Sequence, residues 1–285
     1  MRLQFKDIPT QLKLTPKDGT ISYDLEISQV VKIRELTEQK LNTKWELSIG
    51  YKYLEGQGLC YNLNFSDPLY NGSKEYTKLQ WLYARIFSIF KKLDLIVNPN
   101  GGIHAILNKQ EVIDNWKFAK KHIQKIYKDP DVDRLVIKTE NLVYYKLDES
   151  LIMDPLFTFL FNDIYLNYGE KRAQVSEKVL TGHFGSVKYP ILENRFLETS
   201  TNNDLLAIVE INTDLNIEKW PSKKINHYLG ELLGDLDTTD YLFARKGSYL
   251  LDFKASCILE GNLEVIGKIP NIYSKTTMYN LKQKQ

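Results

Sequence analysis

Apolar and polar residues alternate with a period of two along the N-terminal quarter of the chain. Ile21, Tyr23, Leu25 and Ile27 share one parity within a strand predicted over 20–35. Trp45, Leu47, Ile49, Tyr51 and Tyr53 repeat the pattern, and so do Leu59, Tyr61, Leu63 and Phe65. A period of two places each set on one face of a half-buried sheet. The short glycine-rich connection Glu55-Gly56-Gln57-Gly58 fits a hairpin loop. No helix separates these segments, so they read as an antiparallel meander.

The period then changes. Leu79, Leu82, Ile86, Ile89, Phe90 and Leu93 fall at helical spacing within 73–92. The segment 94–107 predicts two strands around a Pro99-Asn100-Gly101-Gly102 turn. Asn108 is placed to cap the next helix, with Glu111 completing a capping-box pattern. Val112, Ile113, Trp116, Ala119, Ile123 and Ile126 form its apolar stripe, and Asp129-Pro130 ends it. The following segment, with Val132, Leu135, Val136, Leu142 and Val143, suggests another helix, although its β-branched residues suit a strand as well. A further apolar helix is predicted over 151–166, with Pro155 in its first turns.

Beyond Tyr168-Gly169 the period returns to two, with strands predicted over 175–183, 188–196 and 205–213. Trp220-Pro221 opens an amphipathic helix through Ile225, Tyr228, Leu229 and Leu232. The C-terminal part predicts strands over 249–259, 263–269 and 272–281, the first two joined by a Glu260-Gly261-Asn262 turn. Strands, helices, strands is the segregated α+β order. The expected fold is a large curved antiparallel β-sheet formed by the N- and C-terminal strands, with a central helical segment packed on one face. A single domain over 1–285 is expected: β-rich over 1–70, helical with one hairpin over 71–169, β-rich over 170–285.

Composition narrows the class. With 285 residues, 43% hydrophobic and 26% charged, the chain matches ordinary globular usage, which excludes disordered and collagen-like readings. Lys+Arg number 38 against 36 Asp+Glu, so no strong field draws in nucleic acid. The departure is aromatic: 18 Tyr, 12 Phe and 4 Trp. Tyr51-Lys52-Tyr53 and Tyr144-Tyr145-Lys146 interleave aromatic with basic groups, but aromatics at period two more often fill a core than stack on bases. No stretch reaches the about 18–20 apolar residues of a spanning helix, so no membrane insertion is expected. Cys60 and Cys257 read as buried thiols; with no h-region at the start of the chain, a cytoplasmic location is expected.

The chemistry-bearing residues form no recognised motif. There is no G-x-x-x-x-G-K-[ST], no G-x-G-x-x-G and no G-x-S-x-G. His104, His122, His183 and His227 offer no i,i+4 metal pair. Gly182-His183-Phe184-Gly185-Ser186 brings a His near a Ser, but between two strands it reads as a β-turn. Asp235, Asp237 and Asp240 crowd one segment; Asp235 and Asp237 match the first two places of a calcium loop, but Thr239 follows and the Gly and Glu of such a loop are absent, so a solvated loop is preferred. Asp129, Asp131 and Asp133 read as a helix stop and the next helix start. No catalytic, cofactor-binding or metal-binding residue is assigned, and no cofactor is expected.

The run from Leu95 to Asn108, Leu-Ile-Val-Asn-Pro-Asn-Gly-Gly-Ile-His-Ala-Ile-Leu-Asn, followed by Glu111 and Trp116, resembles uncharacterised α+β proteins of Bacteroidota. The C-terminal Lys246-Gly247-Ser248-Tyr249-Leu250-Leu251-Asp252 and its hairpin are similar in style. The resemblance implies a turn, a cap and a core Trp, and brings no activity. With motifs absent and aromatics abundant, the expected function is a non-enzymatic protein-interaction module, such as an adaptor, an immunity-type protein or a secretion-system accessory, whose partner is another protein. One alternative is an apolar-ligand or lipid-binding protein with a slot lined by Trp45, Tyr51, Phe65, Phe159 and Phe161. Another is a hydrolase whose carboxylates are gathered by folding.

Overall fold

A computed structural model of the chain describes residues 10–16, 18–34, 36–55, 58–72, 76–199, 206–233, 241–252 and 255–284. The chain opens with β1 (Gly19–Ile33), β2 (Leu36–Leu54), β3 (Gly58–Phe65) and the short β4 (Leu69–Tyr70). Then come α1 (Lys78–Phe87), a 3-10 turn (Ser88–Phe90), β5 (Lys92–Val97) and β6 (Ile103–Ile106). The helical middle is α2 (Lys109–Ile126), α3 (Pro130–Tyr145), α4 (Leu147–Met153) and α5 (Pro155–Leu160). The second β-rich part is β7 (Ala173–Gly182), β8 (Gly185–Thr199), β9 (Leu206–Leu215), α6 (Ser222–Leu233), β10 (Leu242–Asp252), β11 (Cys257–Ile269) and β12 (Tyr273–Gln283).

All the strands join one 12-stranded antiparallel sheet in the order β6-β5-β3-β2-β1-β12-β11-β10-β9-β8-β7, with β4 paired to β2. The two β-rich parts meet at the β1–β12 seam, in register from Tyr23↔Gln283 to Ile33↔Tyr273. Each half spreads outward from that seam as a meander. The expected continuous sheet is therefore present, and it dominates the fold.

One face of this sheet is covered by α5. That six-residue helix, Pro-Leu-Phe-Thr-Phe-Leu, is apolar nearly all round, as a helix enclosed on every side must be. Phe157 packs edge-on against Phe65 of β3, and Phe159 lies against Tyr249 of β10 and Tyr279 of β12. Just beyond the helix, Phe161 meets Tyr61 of β3. Strands from both halves touch one short helix because the sheet curls around it. Burying each such ring stabilises by about 1.5–3 kcal/mol before chain entropy is counted.

Four expectations are corrected. The 151–166 helix is broken at Asp154-Pro155, because Pro155 has no N–H for the preceding turn; it starts α5 at its first position. Glu260-Gly261-Asn262 is no turn but lies inside β11, with Gly261 paired to Tyr249. A Cβ at Gly261 would stand 3.2 Å from the Tyr249 ring and 3.3 Å from Phe159, so this glycine admits the aromatic packing around α5. Asn108 stands at the N-cap position of α2 but makes no capping bond. Its Oδ1 accepts from the Asp94 N–H (2.9 Å) and its Nδ2 donates to the Lys92 carbonyl (3.1 Å), tying the helix to β5 instead. Ile126, placed on the apolar stripe of α2, is exposed.

Other readings hold. The segment around Val132 is the helix α3, capped by Asp129, whose carboxylate accepts from the Asp131 N–H. The Pro99–Gly102 hairpin closes through Asn98 N–H to the Gly102 carbonyl (2.8 Å). Trp116 is fully buried on α2 beside Val112, Ala119 and Ile123. Trp116→Ala is expected to cost about 3–5 kcal/mol. Asn108→Ala is expected to cost about 1–2 kcal/mol through its strand tethers. Both would be read as lower urea midpoints, and an unchanged midpoint for Trp116→Ala would remove Trp116 from the core.

Candidate functional site

The inner parity of strands β7, β8 and β10 carries charge where apolar residues would be usual. On β8, Tyr189, Ile191, Glu193, Arg195 and Leu197 all point inward and are buried. Glu193 is 0% exposed. Its Oε2 accepts from Arg245 of β10, and its Oε1 accepts from Arg195 Nε at 2.8 Å. Lys178 of β7 approaches Oε1 at 3.1 Å and reaches Asp163 at 3.4 Å. Lys178 also donates to Asn162 Oδ1 (2.8 Å), and Asn162 donates to the Tyr249 hydroxyl (3.4 Å), which in turn donates to the Phe159 carbonyl of α5 (2.9 Å). Burial lowers the pKa of Lys178, Arg195 and Arg245, because a protein interior disfavours their charged forms.

The other end of α5 is held by Asp154. Its Oδ1 accepts from the N–H groups of Leu156 (2.8 Å) and Phe157 (3.3 Å). Between α5, α1 and the sheet lies a cleft of about 450 Å³. Its floor is Ile27 and Gln29 of β1, Trp45 of β2 and Val265 of β11. Its roof is Tyr83 and Phe87 of α1 together with Phe90 and Phe157. Lys275, Thr277 and Tyr279 of β12 run through the middle of that floor, since β12 lies between β1 and β11, and the β7–β8 turn, Gly182-His183, lines the cleft beside Lys275.

That turn is the Gly182–Gly185 segment read from sequence as a β-turn, and both glycines have positive φ (87° and 56°). The side chain of Ser186 lies outside the described residues. His183 is 4% exposed, with its ring edge-on to Phe184 and Phe243. Burial, and then the neighbouring Lys275 charge, push its pKa down to about 3, so the imidazole is neutral. Among the described residues its Nε2 has no hydrogen-bond partner. Gly267 of β11 makes room for it, since a Cβ there would lie 2.2 Å from that nitrogen. Lys275 donates to the Gly182 carbonyl at 3.2 Å, and burial lowers its pKa.

Of the aromatics expected to line a slot, Trp45 does so. Tyr51 and Phe161 surround a void of only about 30 Å³ instead. Phe65 and Phe159 are locked in the packed core by the ring contacts around α5, so the cleft lies to one side of the residues chosen from sequence. His104, His122 and His227 are exposed. Asp235, Asp237 and Asp240 lie outside the described residues. Among the described residues no group of three or more His, Cys, Asp or Glu is placed to hold a metal ion, and no helix is long and apolar enough to cross a membrane. Cys60 and Cys257 are free and buried. Lys275, His183 and Asp154 were missed as site residues; the available signal was charge on the buried parity of a strand, at Lys275 between Tyr273 and Thr277.

A larger open hollow of about 920 Å³ gathers Asp24, Glu46 and Asp67, but lysines occupy all three. Lys284 bridges Asp24 (3.2 Å) and Glu46 (2.7 Å), and Lys91 pairs with Asp67 (2.9 Å). This is a set of surface ion pairs, not a carboxylate pair facing a substrate.

No protein-family model matches the chain, nor does any curated protein. Two solved structures are similar in outline. One is DynF from the dynemicin biosynthesis pathway of Micromonospora chersina, at 6% identity, covering 99% of this chain and 92% of that one with a TM-score of 0.18. The other is a LolA superfamily protein from Nitrosomonas europaea, at 6% identity, covering 93% of this chain and 87% of that one with a TM-score of 0.17. At such scores neither likeness bears on what this chain does.

Two measurements test the site's electrostatics. Glu193→Gln strands buried cations and is expected to cost about 3–5 kcal/mol in chemical denaturation. Replacing the buried charges together, Glu193→Leu with Arg195→Met and Arg245→Met, should lose less than Glu193→Gln alone, since Lys178 keeps Asp163. Burial pushes the Asp154 carboxyl up from its ordinary 3.8 to about 6, against the two N–H groups that donate to it. A raised folded-state pKa means that Asp154 contributes fully below about pH 4, and that the contribution is lost as pH rises through 6. Asn keeps a capping oxygen without the charge. Asp154→Asn is therefore expected to be about 1–2 kcal/mol more stable than the parent at pH 8, with the gap closing toward pH 5 in thermal melts.

Proposed function

We propose that the protein binds an apolar or amphipathic small molecule in the cleft between α1, α5 and the inner face of β1 and β12. The observation that carries this reading is the composition of the cleft. Trp45, Tyr83, Phe87, Phe90 and Phe157 give it aromatic walls; Lys275 and His183 stand together beside Gly182, and Gln29, Asp154, Thr158, Thr181 and Thr277 are its other polar lining. Its volume of about 450 Å³ falls within the range of small-molecule sites, which are concave, mostly apolar and marked by a few placed polar groups. A second apolar hollow, also about 450 Å³, lies on the other side of Pro155 and Phe157 and shares both residues with the first. The segment that starts α5 is thus a partition between two apolar spaces.

A protein-interaction role is the second reading. It rests on Ile137, Tyr144 and Tyr145, which α3 leaves exposed and to which no ligand-site role falls. The two readings separate by mutation. Gln29→Trp fills the floor of the cleft; it is expected to weaken Nile red binding at least about tenfold, with the far-ultraviolet circular dichroism unchanged. Ile137→Ser with Tyr145→Ser should leave that binding intact and abolish recovery of a stoichiometric protein partner from the native host. If wild-type protein neither binds Nile red nor carries a small molecule in native mass spectrometry, the ligand-binding reading is wrong.

A further inference from the structure

The fold treats its inward-facing cations unequally. Lys178, Arg195 and Arg245 each reach the Glu193 carboxylate, and Lys178 reaches Asp163 too. Lys275 points inward on β12 between the buried Tyr273 and Thr277, and no described carboxylate lies within 4.0 Å of its ammonium. Asp154 lines the same cleft but makes no ion pair with it, being held by the first amides of α5. An ammonium has three N–H donors, and here one is directed at the Gly182 carbonyl. Beside it stands the unpartnered Nε2 of His183, buried in the same end of the cleft. Lys275 is half-buried, and withdrawing a cation even partly from water with no counter-charge among the described residues is costly beside apolar walls.

We infer that the occupant of the cleft is an acidic amphiphile, a long-chain monocarboxylate, whose carboxylate pairs with Lys275 beside His183 while its hydrocarbon tail lies between the aromatic walls. This rests on the ligand-binding reading of the cleft. Charge complementarity selects the head group: one unpaired ammonium calls for one negative charge, and a carboxylate can accept the two ammonium donors left free. The walls select the tail, since Phe87, Phe90 and Val265 offer it no hydrogen-bonding group. The cation at one end of the cleft and the Trp45 ring toward the other orient the molecule.

The test is displacement of Nile red by decanoate and by decanol, matched in chain and differing in charge. Wild-type protein is expected to bind decanoate at least about tenfold more tightly than decanol. Lys275→Met should bring the two to near parity by weakening decanoate much more than decanol, and Lys275→Arg should keep most of the preference. Equal affinity of wild-type protein for both, or a preference for decanoate that survives Lys275→Met, would overturn the inference while leaving the cleft as a neutral apolar site. Failure of both compounds, and of Nile red itself, would overturn the ligand-binding reading as well. The wild-type comparison does not depend on any variant folding.

Discussion

Glu193 sits fully enclosed on β8 with Arg195 and Arg245 bonded to its carboxylate and Lys178 as a third cation against it. Placing so many charges in a protein interior is expensive, and their mutual attraction offsets that cost only if the geometry is held. Holding it fixes β7, β8 and β10 relative to one another. The effect extends further, because Lys178 also grips Asn162, Asn162 grips the Tyr249 hydroxyl, and that hydroxyl grips the Phe159 carbonyl. The C-terminal end of α5 is therefore tied to the ion cluster by a chain of polar contacts. Its N-terminal end is tied by Asp154. A helix of six residues could not hold its own conformation in water; here it is placed from both ends.

Once α5 is placed, the cleft follows. Phe157 and Phe159 fill the middle of the curled sheet, and a short helix cannot fill its full length. The space left over beside α1 is roofed by Phe87 and Phe90 and lined beside Lys275 by the β7–β8 turn. That placement depends on glycine in two ways. Gly182 and Gly185 adopt positive φ, which bends the turn inward, and Gly267 leaves room for the His183 ring against β11. The same turn supplies the carbonyl that Lys275 contacts. Cleft, turn and unpaired cation are one local arrangement.

Most of the strands were legible in the sequence because a half-buried sheet imposes a period of two on whatever residues it contains. What was illegible depended on tertiary contact. Gly261 looks like a turn residue; it is a strand residue because Tyr249 and Phe159 pack onto it from elsewhere in the chain. Asn108 looks like a cap; its amide is instead claimed by the backbone of β5. The seam between β1 and β12 joins segments with about the whole chain between them, and no local pattern marks it. The ion cluster was partly legible: Glu193 and Arg195 share the parity of Tyr189, Ile191 and Leu197, and a charge on an apolar parity is either paired or functional. Which of the two applies is a question of distance. At Glu193 the partners are present; at Lys275 no carboxylate stands near among the described residues.

The open form of the sheet is itself a consequence of its ends. β6 has only four residues, too few to form a long ladder with β7 across the gap. The helix α4 packs against both edge strands and stands where such a ladder would run. Asn98, Asn100 and Gly102 near β6, and Lys178 and Val179 of β7, line one hollow of about 360 Å³ beside Asp163. The two edges thus approach without pairing. A closed barrel of this strand number would enclose its interior completely. Here the helices substitute for the missing pairing, and helices fill space less evenly than a strand ladder does. The hollows around Pro155 and Phe157 are what that substitution leaves, and one of them is lined by His183 and Lys275.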